Sequence, residues 1–268
     1  MRIVFWNIRA GGGCRVDAIV EHLEGWEADV VALCEFRATP PSLEIARRLA
    51  TCGLAHQHAT ADPRSPSANG LLVAARWPLS RVRSRSGPRE PGRWLLTIVG
   101  APEPLALGAM HVPNRVTGRK YIFHDAVLAL VRRWRRGPAV LLGDTNSGHP
   151  GIDEEVAVFG PREADWLRAL DGRGWVDAFR HLHGDRRAYT WYSPNGGNGF
   201  RIDQAFVNAG LRPRLRATRY EWARPPGARA AFSMVSDHAA LLVDLDREAT
   251  PQERPAFSPR KWERTSLA

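Results

Sequence analysis

Three polar residues stand directly before an apolar run late in the chain, in the order Ser236-Asp237-His238-Ala239-Ala240-Leu241-Leu242-Val243. A short apolar run bounded by polar residues is typical of a buried strand, so this segment predicts a strand that starts beside an acid and a histidine. An Asp-His pair at one strand end is not a site by itself. Its meaning depends on whether other strands bring polar residues to the same place.

Polar residues of the kind that bind metal ions and phosphates also mark four other β-like runs. They are Asn7 after the opening run, Glu35 after a second, Gly143-Asp144-Thr145-Asn146 after a third and Arg201-Ile202-Asp203 within a fourth. A fold that gathers these strand ends places carboxylates, amides and a histidine in one pocket. That mixture suits a hard divalent cation and a phosphate ester.

The length and composition of the chain are those of a globular protein. The 268 residues suffice for one large α/β domain or two small ones, and the hydrophobic content is an ordinary 44%. No apolar run approaches the roughly 18 residues of a membrane span, and none near the start resembles a secretion signal. We therefore expect a cytoplasmic monomer. Its cysteines, Cys14, Cys34 and Cys52, lack metal-ligand spacing and are interpreted as reduced thiols.

The charge of the chain is strongly positive. The formal charge is +10, and nearly all of the positive charge is arginine, since Lys120 and Lys261 are the only lysines. A basic surface favours polyanionic partners such as nucleic acid. Heavy use of Arg with almost no Lys also follows from a GC-rich genome, so the charge alone leaves both explanations open.

The apolar patterns predict many strands and few helices. The predicted strands are Arg2–Ile8, Asp29–Cys34, Gly70–Ala75, Trp94–Val99, Leu105–Val112, Ala139–Leu142, Tyr189–Tyr192, Phe200–Asn208 and Ala239–Leu245. The predicted helices are Val16–Gly25, Ser42–Thr51, Gly118–Trp134 and Arg162–Asp171. So few helical crossovers argue against a purely parallel sheet and favour two mixed sheets covered by helices. We expect one catalytic domain over residues 1–248 and a mobile Pro- and Arg-rich tail over residues 249–268.

Asp144 and Asn146 follow a buried strand and lie two residues apart, so both can face one site if the chain stays extended. An aspartate can orient or deprotonate a water molecule, and an asparagine can donate to a phosphate oxygen. The alternative is an Asx-type turn after the strand, where the same residue types are common.

Asp203 lies within an apolar strand, where a carboxylate is costly to bury without a partner. His238 is the natural partner, because an Asp–His pair fixes the tautomer and raises the basicity of the ring. The alternative is a structural salt bridge from Asp203 to an arginine such as Arg201.

Several further residues follow strands and are weaker candidates alone. Glu35, with Asp237 and Asn7, could supply oxygen ligands to Mg²⁺, although a lone acid at a strand end is usually solvated. His111 and Asn114 could contact a leaving oxygen, and Trp191 could stack on a base or a sugar. Arg115 could contact phosphate. Alternatively, His111 is a surface or turn histidine, Trp191 is a core residue and Arg115 is solvated.

Taken in order, these segments resemble the endonuclease/exonuclease/phosphatase superfamily, the metal-dependent fold of exonuclease III and DNase I. The resemblance spans residues 1–246 and rests on Phe5-Trp6-Asn7, Cys34-Glu35, Asn69-Gly70-Leu71, Arg76-Trp77-Pro78-Leu79, His111-Val112-Pro113-Asn114, Gly143-Asp144-Thr145-Asn146, Tyr189-Thr190-Trp191, Arg201-Ile202-Asp203 and Ser236-Asp237-His238. It implies a DNase I-like four-layer α/β sandwich with two mixed, mainly antiparallel sheets flanked by helices. It also implies hydrolysis of phosphoesters by direct attack of water, dependent on Mg²⁺ or Mn²⁺.

The resemblance assigns roles to the candidate residues. It implies that the metal is held by Glu35, Asp237 and Asn7, and that Asp144 activates the water. It implies that phosphate oxygens are held by Asn146 and by His238, which Asp203 orients. It also implies that His111 and Asn114 face the scissile phosphate. One position departs from the pattern, because His111 stands where the exonuclease III branch typically has tyrosine. Histidine there is more usual in the DNase I-like, sphingomyelinase and phosphatase branches.

The sequence therefore predicts a Mg²⁺-dependent phosphodiesterase acting on nucleic acid, with DNA favoured over RNA, as an endonuclease or 3′-exonuclease of the exonuclease III-like type. The first alternative is a phosphatase or phosphodiesterase of a small or lipid phosphoester. The second alternative is an inactive nucleic-acid-binding module. The sequence argues against it, because every expected polar position is filled.

Overall fold

The computed structural model describes residues 1–224 and 234–246. Its strands are β1 Arg2–Asn7, β2 Val30–Phe36, β3 His56–Ala59, β4 Gly70–Ala75, β5 Leu79–Arg81, β6 Trp94–Val99, β7 Leu105–His111, β8 Ala139–Asp144, β9 Trp175–Asp177, β10 Trp191–Tyr192, β11 Gly199–Phe200, β12 Asp203–Asn208, β13 Leu215–Glu221 and β14 Ala240–Leu245. The α-helices are α1 Val16–Gly25, α2 Pro40–Thr51, α3 Lys120–Arg132, α4 Pro161–Asp171 and α5 Ala178–His183. The predicted tail over residues 249–268 lies outside the described residues.

Two six-stranded sheets form the centre of the molecule, in the orders β13-β14-β1-β2-β4-β3 and β5-β6-β7-β8-β12-β9. Each is mixed, since β1 with β2 and β7 with β8 are parallel whereas the other pairs are antiparallel. A separate two-stranded hairpin joins β10 to β11. The predicted two mixed, mainly antiparallel sheets are confirmed.

Alternation along the strands builds the layers, because successive side chains point to opposite faces of a sheet. Phe5 and Leu241 of the first sheet pack with Leu107 and Leu142 of the second in the central core. The opposite face of the first sheet packs against α1 and α2 through residues such as Ile19. The opposite face of the second sheet packs against α3 and α4. The result is the expected four-layer sandwich.

One predicted strand is divided in the structure. The predicted strand Phe200–Asn208 becomes β11, which joins the small hairpin, and β12, which joins the second sheet. The chain leaves the ladder between them because the Arg201 side chain turns into a buried carboxylate cluster, and because Ile202 N–H donates to Thr190 Oγ1 at 3.0 Å. Asp203 is therefore the first residue of its strand and not an interior one.

Several short or polar elements were not predicted, namely β3, β5, β9, β13 and α5. The strand β13 has charged side chains on its exposed face, where Arg219 pairs with Asp244 on β14 at 3.0 Å. The helix α5 is only six residues long and is capped by Asp177. Apolar periodicity carries little signal in such segments. Within residues 1–224 and 234–246, the helices are too short or too polar to cross a membrane.

Candidate active site

Neighbouring strands of the second sheet place three of the predicted site residues side by side. In the ladder between β8 and β12, Asp144 is paired with Asp203, and in the ladder between β7 and β8 it is paired with His111. All three side chains are buried. The polar ends of these strands therefore meet, as the sequence predicted.

The first sheet supplies the facing half of the site. Asn7 ends β1 and donates from its amide Nδ2 to Asp144 Oδ2 at 3.2 Å. The segment before β14 is fixed to β1, since Ser236 Oγ donates to the Asn7 carbonyl at 2.6 Å and Trp6 Nε1 donates to the His238 carbonyl at 2.9 Å. These bonds hold His238 opposite the carboxylates of the second sheet.

Asp203 and His238 form a close pair across the two sheets. Nδ1 of the ring lies 2.9 Å from Asp203 Oδ2 and 3.2 Å from Oδ1. Arg201, the alternative partner, instead binds Asp153 and Asp177. The carboxylates of Asp144 and Asp203 and the His238 ring offer ligand atoms within 4.8 Å of one another, and we call these three residues the Asp144 cluster.

The charges of the Asp144 cluster shift its proton equilibria. Burial alone lowers the pKa of His238, but the carboxylates of Asp203, Asp144 and Asp237 outweigh it and raise the pKa to about 9. Burial raises the pKa of Asp144 to about 7, with Asp203 adding to the rise and His238 opposing it. At neutral pH, the cluster thus has a charged histidine beside a carboxylate that can exchange a proton.

Asn146 is held at the edge of the cluster in a left-handed conformation, with φ of 46°. Its backbone N–H donates to Asp144 Oδ1 at 3.0 Å and its side-chain Nδ2 donates to the Val112 carbonyl at 2.8 Å. The Asx-type contact with Asp144, expected as an alternative to function, is therefore present within the site itself. It orients the Asp144 carboxylate.

His111 lies against the cluster without a short hydrogen bond to it. Its Nε2 is 3.8 Å from Asp144 Oδ2. Burial, together with the positive charges of Arg93 and His238, lowers the pKa of His111 to about 3. The ring is therefore neutral at physiological pH and can serve as a hydrogen-bonding group but not as a reservoir of positive charge.

The predicted metal ligands Glu35 and Asp237 lie outside the Asp144 cluster and are half-buried. Glu35 is the extra residue of a β-bulge in β2, with φ of 59°, and its Oε2 accepts the Ala10 N–H at 2.7 Å. The bulge follows the pairing of Cys34 with Asn7, so it turns this acid toward the end of β1. A residue with positive φ that is not glycine stores strain, which concentrates at functional sites.

The predicted substrate residues line one pocket next to the cluster. The cavity of 240 Å³ is bordered by Asn114, Arg115, Asn146 and Trp191, with Phe200 and Ile202 among its apolar walls. The half-buried ring of Trp191 lies 6.3 Å from the ring of His238, measured between centroids. The structure thus brings Asn114, Arg115 and Trp191 together, and it places them beside the residues predicted to carry the chemistry.

A second buried charge cluster lies behind the first and was not predicted. Arg201 Nε and Nη2 bind Asp153 at 2.7 and 2.9 Å, Arg201 Nη2 binds Asp177 at 2.6 Å, and Arg180 also pairs with Asp153. We call Arg201, Arg180, Asp153 and Asp177 the Arg201 cluster. The acids stand in a loop and before a short helix, where no periodicity marks them.

Lys120 is a further residue that the predictions missed. Its buried ammonium donates to the Asn146 carbonyl at 2.6 Å and to Glu163 Oε1 at 2.8 Å. One signal could have identified it, because a lysine is rare in this arginine-rich chain and this one stands on the best-predicted helix. An ammonium with three donors suits a point contact better than the planar guanidinium does.

A four-layer sandwich whose two sheets meet at a buried cluster of carboxylates, amides and histidine defines a class of phosphoric ester hydrolases that depend on metal ions. The model of the Endonuclease/Exonuclease/phosphatase family matches residues 4–238, and the chain belongs to this family. The family assignment confirms the resemblance identified from the sequence motifs. The name of the family covers endonucleases, exonucleases and phosphatases.

Solved structures share this fold at low sequence identity. An AP endonuclease from Archaeoglobus fulgidus superposes with a TM-score of 0.74 at 18% identity, over 92% of this chain and 99% of that chain. A 3′-5′ exonuclease from Neisseria meningitidis, NExo, gives a TM-score of 0.72 at 22% identity, over 92% of this chain and all of that chain. These likenesses establish the DNase I-like architecture.

Curated relatives match over shorter stretches. Recombination repair protein 1 of Drosophila melanogaster is 37% identical over 91 residues, which are 29% of this chain and 13% of that protein. The exodeoxyribonuclease of Bacillus subtilis is 28% identical over 125 residues, which are 40% of this chain and 50% of that protein. The chain spans half or less of the length of these two relatives.

Proposed function

We propose that the protein is a Mg²⁺-dependent phosphodiesterase of nucleic acid, acting on DNA as an endonuclease or a 3′-exonuclease. The observation that carries the proposal is the contact of Asp144 with Asn7, opposite the Asp203–His238 pair and beside the pocket of Asn114, Arg115 and Trp191. A proton acceptor, a charged donor and a substrate pocket meet at one place. Hydrolysis of a phosphodiester needs a group that accepts the proton of water, a donor that stabilises the developing charge, and a pocket that holds the substrate.

The donor atoms present fit a hard divalent cation. Two buried carboxylates of the Asp144 cluster face a single histidine, and Glu35 and Asp237 are half-buried acids outside that cluster. Oxygen ligands from one or two carboxylates are what Mg²⁺ takes in proteins, and Mn²⁺ accepts the same set. We assign Glu35, Asp237 and Asn7 to the ion, as the resemblance to the family implies, and leave His238 Nδ1 to Asp203. The ion, when bound, neutralises phosphate charge and acidifies water.

Asp144 is the group that takes the proton from the attacking water. Its raised pKa of about 7 is that of a base matched to neutral pH. The Asn146 N–H and the Asn7 amide hold its two oxygens, so the carboxylate keeps one orientation during the attack. The water attacks phosphorus directly, in line with the leaving oxygen.

His238 and Asn146 stabilise the charge that develops on the phosphate oxygens. The Asp203 contact keeps the His238 ring protonated and leaves Nε2, which lies 3.5 Å from Asn7 Nδ2, directed into the site. His111 and Asn114 face the leaving group. The neutral ring of His111 donates or accepts a hydrogen bond there.

The choice of DNA rests on charge and on the relatives. The formal charge of +10 favours a polyanion, and Arg115 and Trp191 offer contacts to a phosphate and to a base or sugar. A related structure is that of the 3′ phosphatase NExo from Neisseria bound to product DNA hairpin. A cytoplasmic monomer is part of the same proposal.

The test is cleavage of labelled DNA with an internal abasic site, compared with intact duplex, single strand and RNA, in Mg²⁺ and in EDTA. We expect cleavage of DNA that needs the metal and is lost in Asp144→Asn. The ranking of the substrates separates abasic-site, endonuclease and exonuclease activities.

Bis-p-nitrophenyl phosphate serves as a parallel substrate in the same experiment. Its hydrolysis without cleavage of any polymer would replace the proposal with a phosphodiesterase of small esters. Binding of DNA without turnover of any substrate would support the inactive module instead.

A further inference from the structure

A second cavity, of 270 Å³, lies at the end of α3 and is bordered by Arg132, Arg135 and Arg173. Its other walls include Trp134, Trp175 and Asn208, and we call this cavity the arginine groove. The two indole rings are in edge contact, with centroids 5.8 Å apart. Trp134 Nε1 donates to the Gly137 carbonyl at 2.9 Å. The groove therefore has fixed walls beneath exposed arginines.

The three arginines of the groove hold no carboxylate in the part of the chain that the structure describes. Arg135 and Arg173 donate only to backbone carbonyls, which leave their positive charge uncompensated. Some other exposed arginines differ, since Arg168 pairs with Asp165 at 2.5 Å and Arg216 pairs with Asp246 at 2.9 Å. An exposed cluster of like charges repels itself, so an anionic partner lowers its energy.

The arginine groove lies at the opposite end of the second sheet from the Asp144 cluster. Asn208 in its wall ends β12, and Asp203 of the cluster begins it. At the strand rise of about 3.4 Å per residue, the five steps between them separate the two places by roughly 17 Å. The groove is therefore outside the catalytic pocket and cannot touch the reacting phosphate.

We infer that the arginine groove binds a stretch of phosphodiester backbone outside the catalytic pocket. The planar guanidinium matches two phosphate oxygens at once, which makes arginine the preferred partner of phosphate. The direct line of roughly 17 Å runs along the buried strand β12, so a nucleic acid strand that reaches both places follows a longer path over the surface. The bound backbone is either a continuation of the substrate or a second nucleic acid segment. This inference rests on the proposed function.

The experiment compares wild type with the triple variant Arg132→Ala/Arg135→Ala/Arg173→Ala. Fluorescence anisotropy in EDTA measures binding of labelled duplexes of about 10 and about 40 base pairs, each over a series of salt concentrations. The matched control, Arg47→Ala/Arg168→Ala/Arg216→Ala, removes the same charge from arginines that have carboxylate partners. A triple Arg→Lys variant in the groove tests rescue by charge alone.

We expect the groove variant to lose affinity for the long duplex, with a salt slope reduced by about 0.9 for each phosphate that the groove no longer neutralises. The control keeps the wild-type slope, and the lysine variant recovers most of it. If the groove binds a second segment, the wild type takes two short duplexes where the groove variant takes one. If it binds a continuation, the wild type takes a single short duplex, as the groove variant does.

Equal slopes and equal stoichiometry for the groove variant and the wild type would overturn the inference. Cleavage of the short duplex in Mg²⁺ reports separately on the proposed function, and the groove variant retains it. Absence of cleavage by the wild type would remove the proposed function, while the binding comparison would still decide whether the groove holds nucleic acid.

Discussion

Arg201 and Asp203 stand two residues apart and are both fully buried, yet their surroundings differ. In the Arg201 cluster, two arginines face two aspartates, so the charges balance. In the Asp144 cluster, two aspartates face one histidine, so one negative charge lacks a counterpart within the cluster. Balanced buried charge holds the chain in place, whereas unbalanced buried charge leaves a proton or a cation to be exchanged. The comparison separates residues that anchor the site from residues that we propose act in it.

The largest expected effect comes from removing the unbalanced charge. Asp144→Asn lowers the hydrolysis rate by about 10²–10⁴-fold, because the amide cannot accept the proton of the attacking water. The free energy of unfolding stays the same or increases, since burial opposes the ionised carboxylate. Rates on DNA and denaturant titrations check both statements, with the exposed Asp125→Asn as control. Turnover near that of wild type would refute the assigned role of Asp144.

Breaking the balanced cluster acts on stability instead. Arg201→Ala leaves Asp153 and Asp177 buried with one cation fewer, so unfolding becomes easier by about 3–5 kcal/mol. The half-exposed Arg219→Ala, which also removes two carboxylate pairings, costs less than about 1 kcal/mol. Denaturant midpoints of the two variants give the comparison. A similar small loss in both would mean that the Arg201 cluster does not anchor the fold.

Lys120 connects the two kinds of behaviour, because it holds Asn146 by its carbonyl and also neutralises Glu163. Lys120→Met destabilises the protein by about 1–3 kcal/mol, as the Glu163 carboxylate loses its buried donor. Adding Glu163→Gln removes the unpaired charge and restores part of that stability. The maximal rate, kcat, stays low in both variants, because Asn146 is no longer held. Recovery of kcat together with stability in the double variant would make Lys120 purely structural.

The two clusters also differ in how their contributions to stability respond to pH in the absence of metal. Burial raises the pKa of Asp153, but the positive charges of Arg201 and Arg180 outweigh burial, and the net shift of this pKa is downward. The ionised Asp153 therefore stabilises the fold above about pH 4, and this stabilisation is lost in acid. Asp144 has a raised pKa, so its contribution is present in acid and is lost as the pH rises toward 7. Unfolding in EDTA from about pH 3 to about pH 8 tests this.

The pH comparison uses Asp144→Asn as its reference. We expect the variant to gain stability relative to wild type as the pH rises from about 4 to about 7, while both proteins lose stability together in acid. Parallel profiles over the whole range would show that Asp144 ionises as freely in the folded protein as in the unfolded chain.

The sequence predicted the residues that the structure gathers in the Asp144 cluster and not those of the Arg201 cluster. Asp144, Asp203 and His238 were predictable because each borders an apolar run, and such runs give the strands and hence their shared end. Asp153 and Asp177 were not predictable from the sequence, because their partner Arg201 is buried only by long-range packing. The bulge at Glu35 and the break between β11 and β12 were also missed. Both depend on hydrogen bonds with distant segments, which a local pattern does not contain.

The place of β1 in the first sheet, between β2 and β14, has a consequence for the order of events during synthesis. Asn7 and His238 lie in contact across 231 positions of the chain. Asn7 and His238 become neighbours only when nearly the whole domain has emerged and β14 has paired with β1. A contact of such high sequence separation forms late in folding. On the ribosome, the Asp144 cluster is therefore incomplete until the segment that ends in Ala240–Leu245 has been synthesised.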